Sequence, residues 1–244
     1  MKSAILAIVA LLASAFAVAL LARPGETCIG GYTTSLAGRS RSQRHNSELA
    51  LDKLAGVIVK PGETFSFNKC VGSFSQDEGY RRAPVSYNGQ LIDSWGGGVC
   101  QTSTTLYNAA LLSGMVIVER NRHRFAPSYI PPGRDAAVAF SSIDLKFKNP
   151  YPYPVRILGG IEANRLTIGI YGPQKLKERP RIVEVVRDRQ LPDTYSIGEE
   201  SPRARIRNTG KEGFQVQVFR LVGNTREMIS NDSYPSMGRV LEYR

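Results

Sequence analysis

The sequence predicts an α+β fold: an antiparallel sheet packed against two main helices, with a small β-rich C-terminal extension. Two observations carry this expectation. Apolar residues recur at helical spacing around 46–59 and 100–113. From residue 115 onward, short β-branched and aromatic runs alternate with turn signals instead. With 42% hydrophobic and 22% charged residues, 244 residues can bury a real core, which excludes a disordered chain.

Taken in order, the first predicted helix covers 46–59. Leu51, Leu54, Ala55 and Ile58 fall at i, i+3, i+4 and i+7, Asn46 and Ser47 offer capping side chains, and Pro61-Gly62 stops it. Short extended segments follow at 64–67 and 85–87, separated by the Gly and polar residues of 71–80. The second helix covers 100–113, with Leu106, Ala109, Ala110 and Ser113 on one stripe and Gly114 as its stop. Strands are expected at 115–119, 136–140, 143–148, 153–158 and 166–171. In the third of these Ile143, Leu145 and Phe147 alternate with Asp144, Lys146 and Lys148. The extension adds a strand at 181–187 and a hairpin over 214–229 that turns at Gly223-Asn224.

Ahead of the first helix, the uncharged Ala/Leu/Ile/Val-rich run from Ala4 to Ala22 reads as an export or anchoring segment. As a helix it would span about 28 Å, close to a hydrocarbon core of about 30 Å. Small residues at Ala15, Ala17 and Ala19 also allow cleavage. The domain on the far side is expected to be extracytoplasmic, either membrane-anchored by this segment or secreted after its removal. The Gly, Ser, Thr and Arg of 23–45 read as a linker, His45 included. The organisation is therefore 1–22 signal or anchor, 23–45 linker, 46–172 core domain and 173–244 extension.

The net charge of +11 favours an anionic neighbour: nucleic acid, an anionic membrane or an acidic wall polymer. Export removes the chain from nucleic acid, and no recognition helix or stacking motif appears. Three cysteines, Cys28, Cys70 and Cys100, make an odd count, so one disulfide and one free thiol is the simplest arrangement. With two histidines and no C-x-x-C or H-x-x-x-H spacing, neither a metal nor another cofactor is called for.

One constellation could carry chemistry. In Gly96-Gly97-Gly98-Val99-Cys100, glycines permit positive φ and close approach, and the helix start presents unpaired N–H groups that lower a thiol's pKa. Cys100 is thus a candidate nucleophile, His123 its base, and Asp135 the group that orients the imidazole, with Asp144 as the other choice. Trp95, Gly97, Gly98, Gln101 and Thr102 are candidate groove-lining residues. Structural readings stand beside each of these: Cys100 as a small buried hydrophobe or bridged to Cys70, Thr102 to Thr105 as caps, and Trp95 as a packing anchor. The basic runs Arg81-Arg82 and Arg120 to Arg124 read as a solvated face.

Longer motifs carry a resemblance. Lys60-Pro61-Gly62-Glu63-Thr64-Phe65-Ser66-Phe67-Asn68, Gly79-Tyr80-Arg81-Arg82-Ala83, Gly96 to Asn108, Pro131-Pro132-Gly133-Arg134-Asp135-Ala136 and Asp144 to Asn149 appear in the order of the VanW family, which the chain resembles over 46–172. The resemblance implies a bacterial cell-envelope protein, of a family named for an accessory gene of vancomycin-resistance clusters. It also implies that Cys100, His123 and Asp135 stand where the family pattern has them. Asn68-Lys69-Cys70-Val71-Gly72 departs from that pattern by its cysteine, which makes a Cys28 to Cys70 bridge attractive and would leave Cys100 free. Two functions are expected from this. One is a cysteine-dependent amide hydrolase or transpeptidase acting on peptidoglycan or envelope peptides. The other is a noncatalytic module that binds the cell wall or a partner protein.

Overall fold

The computed structural model describes residues 22–87, 90–198 and 204–243. The export or anchor reading of 1–22 therefore falls almost entirely outside the described residues. Among those described, no helix is long and apolar enough to cross a membrane.

A four-stranded antiparallel sheet forms the base. β1 (Thr27–Ser35) pairs with β9 (Arg165–Gly172), β9 with β8 (Val155–Glu162), and β8 with the short β2 (Ile58–Val59). Helices α1 (Arg41–Leu54) and α3 (Val99–Leu112) lie side by side on one face of it. Leu51, Leu54, Leu106, Ile157, Leu166, Ile168 and Ile170 fill the space between, all at most 3% exposed. Each such side chain contributes about 1.5–3 kcal/mol of hydrophobic stabilisation. Two glycines set the helix-to-sheet distance. A Cβ at Gly30 would stand 2.3 Å from Ser113 N at the end of α3, and one at Gly159 would stand 2.5 Å from Leu51 Cδ1.

β1 corrects the linker reading of 23–45. Its Gly and Thr residues look like loop composition, yet they serve a strand that uses hydroxyl hydrogen bonds on both of its faces. The Thr34 hydroxyl bonds that of Thr105 at 2.8 Å, and the Thr33 hydroxyl bonds that of Thr167 at 2.9 Å. Polar pairs of this kind erase the apolar alternation by which a strand is recognised.

The first helix also starts earlier than predicted. Ser40 and Gln43 form a reciprocal capping box, with Gln43 N donating to Ser40 Oγ at 3.2 Å and Ser40 N to Gln43 Oε1 at 3.1 Å. The helix ends at Leu54, so Ile58 and Val59 belong to β2. His45 consequently sits on α1, donating from Nε2 to Gly79 O at 2.9 Å, and is not a linker residue.

A second sheet joins β3 (Thr64–Ser66), β7 (Lys146–Lys148) and β6 (Val116–Glu119) in the order β3-β7-β6, with the Phe65 and Phe147 rings stacked at 4.9 Å. The short α2 (Phe67–Val71) follows β3, and β4 (Arg82–Tyr87) with β5 (Gln90–Trp95) form a hairpin. Residues 136–140, predicted as a strand, make only isolated bridges at Ala137 and Ala139, because their carbonyls are taken by side chains. Ala136 O accepts from Ser103 Oγ at 2.6 Å, and Ala139 O from Asn68 Nδ2 at 3.1 Å.

The extension is all β. β10 (Arg181–Gln190), β13 (Gly213–Val222) and β14 (Thr225–Tyr234) form one sheet, with the β13–β14 turn at the predicted Gly223-Asn224. β11 (Thr194–Ile197), β15 (Arg239–Tyr243) and β12 (Ala204–Asn208) form another. The class is α+β, with strands well in excess of helices.

Candidate active site

The site begins with how α3 starts. Gly98 is the N-cap, at φ 113°, and its Cβ would stand 2.3 Å from Gln43 O on α1. A Cβ at Gly97 would meet Pro84 O at 2.8 Å, and one at Gly96 would meet Phe74 Cβ at 2.7 Å. Only glycines can thread this passage between α1 and the β4–β5 hairpin. Their carbonyls are then tied down, since Gly97 O accepts from Asn46 Nδ2 at 2.9 Å and Gly98 O from Ser47 Oγ at 3.0 Å. The outcome is a rigid helix start with Cys100 in its first turn.

Opposite Cys100 stands His123, in the segment after β6. The His123 backbone N–H and Nδ1 both reach Asp135 Oδ2, at 2.7 and 2.6 Å. Asp135 Oδ1 accepts from Arg120 Nη2 at 2.9 Å and from the Tyr234 hydroxyl in a short bond. Arg120 is fixed in turn by Asp232 Oδ2 at 2.6 Å and by Asp135 O at 2.6 Å. With Nδ1 engaged by Asp135, Nε2 is the ring nitrogen left free, and His123 lies near enough to Cys100 for the two groups to shift each other's pKa.

The electrostatics follow from these contacts. Burial alone would raise Asp135, which is 0% exposed, but the His123 hydrogen bond and the Arg120 charge bring it down to about 2. Burial would lower His123, yet its bonds to Asp135 and Cys100 push it up to about 10. Burial would raise the Cys100 thiol, and the His123 hydrogen bond and charge hold it below the usual thiol value. Together these favour a thiolate–imidazolium pair. In its thiol form Cys100 donates to Val138 O at 3.4 Å.

The other sequence-predicted residues take different places. Asp144 is not the orienter: Oδ2 accepts from Ser66 Oγ at 2.6 Å and Oδ1 from Asn68 N at 2.9 Å, which ties it to the start of α2. Trp95 ends β5 and is 37% exposed. Gln101 and Thr102 face inward. Gln101 Nε2 donates to Ser35 O at 2.7 Å and to Thr34 Oγ1 at 3.1 Å, and Thr102 Oγ1 donates to Ser47 O at 3.0 Å.

The expected disulfide does not form, and all three cysteines are free. Cys28 is exposed on β1 beside Gly31 and Gly169, while Cys70 on α2 donates to Lys53 O at 3.3 Å, so the two belong to unconnected regions. Residues that the sequence did not single out complete the site. Arg120, read as part of a solvated face, has a side chain only 7% exposed. Its one sequence signal is its position three residues before the candidate base. Tyr234, at the end of β14, belongs to the Tyr234-Pro235 ending that resembles the tail closing such proteins, whereas Asp232 carries no signal, and neither does Tyr129, whose hydroxyl donates to Cys100 O at 3.3 Å.

The comparisons bear on the family of the chain. The family described as VanW like protein matches residues 42–171, which includes Cys100, His123 and Asp135. An uncharacterised Bacillus subtilis protein, YoaR, is 36% identical over 162 residues, 66% of this chain and 54% of that protein. The vancomycin B-type resistance protein VanW of Enterococcus faecalis is 36% identical over 109 residues, 43% of this chain and 40% of that protein. The matches thus span about half the length of these relatives or less. A solved chain described as HP0197-G5 aligns over 28% of this chain and 96% of its own at 16% identity, with a TM-score of 0.18, too low to bear on the fold. Since the matched stretch is more than half of the chain, the chain belongs to the VanW family.

Proposed function

We propose that this protein is an extracytoplasmic cysteine-dependent amide hydrolase or transpeptidase that acts on peptidoglycan or envelope peptides. The observation that carries the proposal is Cys100 in the first turn of α3 beside His123, whose Nδ1 is held by Asp135 at 2.6 Å and whose charge lowers the thiol pKa. The envelope assignment is supported by the uncharged apolar run at 4–22 and by the resistance function in the name of the Enterococcus relative.

The chemistry balances with these residues alone. The Cys100 thiolate attacks the amide carbonyl, a C–S bond forms, and the carbonyl electron pair moves onto oxygen. In the first turn of α3, Val99 N donates to Gly96 O at 3.0 Å and Gln101 N to Gly98 O at 2.9 Å. Among the described residues no acceptor takes the Cys100 N–H, which is therefore the donor for the oxyanion. As the C–N bond breaks, the His123 imidazolium gives its proton to the departing amine. Water or a second amine then attacks the thioester, His123 takes the proton, and the thiolate is regenerated.

The test is the rate at which N-ethylmaleimide labels Cys100 in the folded protein at pH 6 and pH 8, read by mass spectrometry of the Cys100 peptide. Rapid labelling at pH 6 that is lost in His123→Ala is expected. No labelling of Cys100 at either pH would overturn the enzyme reading in favour of a noncatalytic binding module.

A further inference from the structure

A cavity of about 370 Å³ opens where the start of α2, the end of β6 and the loop 140–144 meet. Its walls are tied down from within the protein. Asn68 Nδ2 donates to Ala139 O at 3.1 Å and to Ile143 O at 2.9 Å, so both amide hydrogens are spent on the loop. The loop also closes on itself, with Ser142 N and Ile143 N donating to Ala139 O at 3.1 and 3.2 Å. Asp144 is saturated by Ser66 Oγ, Asn68 N and Leu145 N. A cavity with walls held in this way is preformed, as small-molecule sites usually are.

Three of its lining groups have no role in holding the fold. Asn68 Oδ1 is buried without a donor among the described residues, although buried amide oxygens are normally paired. Ser141 stands at φ 65°, a left-handed conformation that costs energy in any residue with a Cβ, and among the described residues its hydroxyl has no partner. Phe140 leaves 47% of its surface in solvent at the cavity wall. The charges, by contrast, are balanced. Lys146 Nζ lies 2.8 Å from Glu119 Oε2 and 4.0 Å from Asp144 Oδ2, and Lys69 offsets the second acid.

A charge-balanced lining does not select an ion. An amide oxygen, serine hydroxyls and an open aromatic face suit a ring that carries hydroxyl or amide hydrogens at its edge and C–H groups on its faces. A peptide backbone is served less well, because the loop carbonyls it would pair with, Ala139 O and Ile143 O, are already filled by Asn68. We propose that this cavity binds a neutral saccharide, with one pyranose ring against Phe140 and its edge donors towards Asn68 Oδ1 and Ser141 Oγ. The site goes beyond the thiol chemistry and does not depend on it, yet the two share a segment. Val138 O accepts from Cys100 Sγ at 3.4 Å, and Ala139 O, next in sequence, accepts from Asn68. A saccharide on Phe140 is thus held two residues along the chain from the carbonyl that faces the candidate nucleophile.

The test is isothermal titration of the full chain with tetra-N-acetylchitotetraose, a neutral soluble saccharide. Saturable binding of one saccharide per chain is expected. Phe140→Ala should weaken it by about tenfold through loss of the ring face. Ser141→Gly removes the hydroxyl but relieves the positive φ, so it should weaken binding without lowering the thermal midpoint, which separates recognition from folding. Tyr195→Ala, which deletes a 56% exposed ring from the extension, should leave the affinity intact. No saturable binding up to about 10 mM would overturn the proposal. So would an affinity lost in Tyr195→Ala and kept in Phe140→Ala. Acetyl-alanyl-alanine amide serves as the peptide probe, and binding of it that Phe140→Ala weakens would assign the cavity to peptide instead. Cys100 labelling is read separately, so each of these failures leaves the enzyme reading standing.

Discussion

Four donor bonds converge on the Asp135 carboxylate: from His123 N, His123 Nδ1, Arg120 Nη2 and the Tyr234 hydroxyl. The Tyr234 oxygen also accepts from Gly133 N at 3.1 Å. Tyr234→Phe therefore leaves the Gly133 N–H without its acceptor and removes one of the four donors on Asp135, and a loss of about 1–3 kcal/mol in urea unfolding is expected. The pH dependence has a definite sign. Asp135 titrates near 2 in the fold against a usual 3.8, so the stability it contributes is complete above about 4 and disappears as pH falls through 2. Acid unfolding monitored by circular dichroism should show this loss, and Asp135→Asn should remove that pH-dependent component. With only His45 and His123 in the chain, imidazole NMR can follow His123 directly. Its midpoint near 10 should fall in Cys100→Ala, which removes one of the two partners that raise it. At this scale the sequence brought Cys100, His123 and Asp135 forward as a candidate set through residue type and order. It hid Arg120, because a buried arginine inside Arg120-Asn121-Arg122-His123-Arg124 reads like its exposed neighbours.

Among the elements, α3 is the one on which the site turns, and its start tolerates the least change. Gly98→Ala would put a Cβ 2.3 Å from Gln43 O at φ 113°, so a loss of more than about 3 kcal/mol is expected in thermal or urea unfolding. Gly62→Ala is the contrast. Gly62 has φ 72° with nothing within 4 Å of its Cβ, so only the left-handed backbone penalty of about 1 kcal/mol remains. The helices and the β13–β14 turn were legible because their signals are local: an apolar stripe, a stopping glycine, a Gly-Asn pair. β1 was not, because its bond to α3 runs through the Thr34 hydroxyl and its glycine at 30 makes room for a helix end that sequence cannot locate. The run 136–140 failed for the opposite reason. It has strand composition, but its carbonyls serve Cys100, Ser103 and Asn68 rather than a neighbouring strand.

Across the whole molecule, the family core and the extension are mechanically one site. Gly133 in the Asp135 loop packs so near β13 that its Cβ would stand 2.6 Å from Val218 Cγ2, and Arg220 Nη1 of β13 donates to Met115 O at 2.7 Å. A chain cut after Gly172 keeps Cys100, His123 and Asp135 but loses Tyr234, Asp232 and the buried Val216 and Val218. It is expected to unfold at markedly lower urea and to lose rapid Cys100 labelling at pH 6. No property of the sequence announced this dependence, because the contacts join residues about 100 positions apart. The placement of the three free thiols on β1, α2 and α3 has a further consequence, in redox terms. Peroxide should convert the reactive thiolate to a sulfenic acid, and no neighbouring cysteine stands ready to capture it as a disulfide. The oxidised form should therefore accumulate, be trapped by dimedone at Cys100, and return to the thiolate only when an external thiol is supplied.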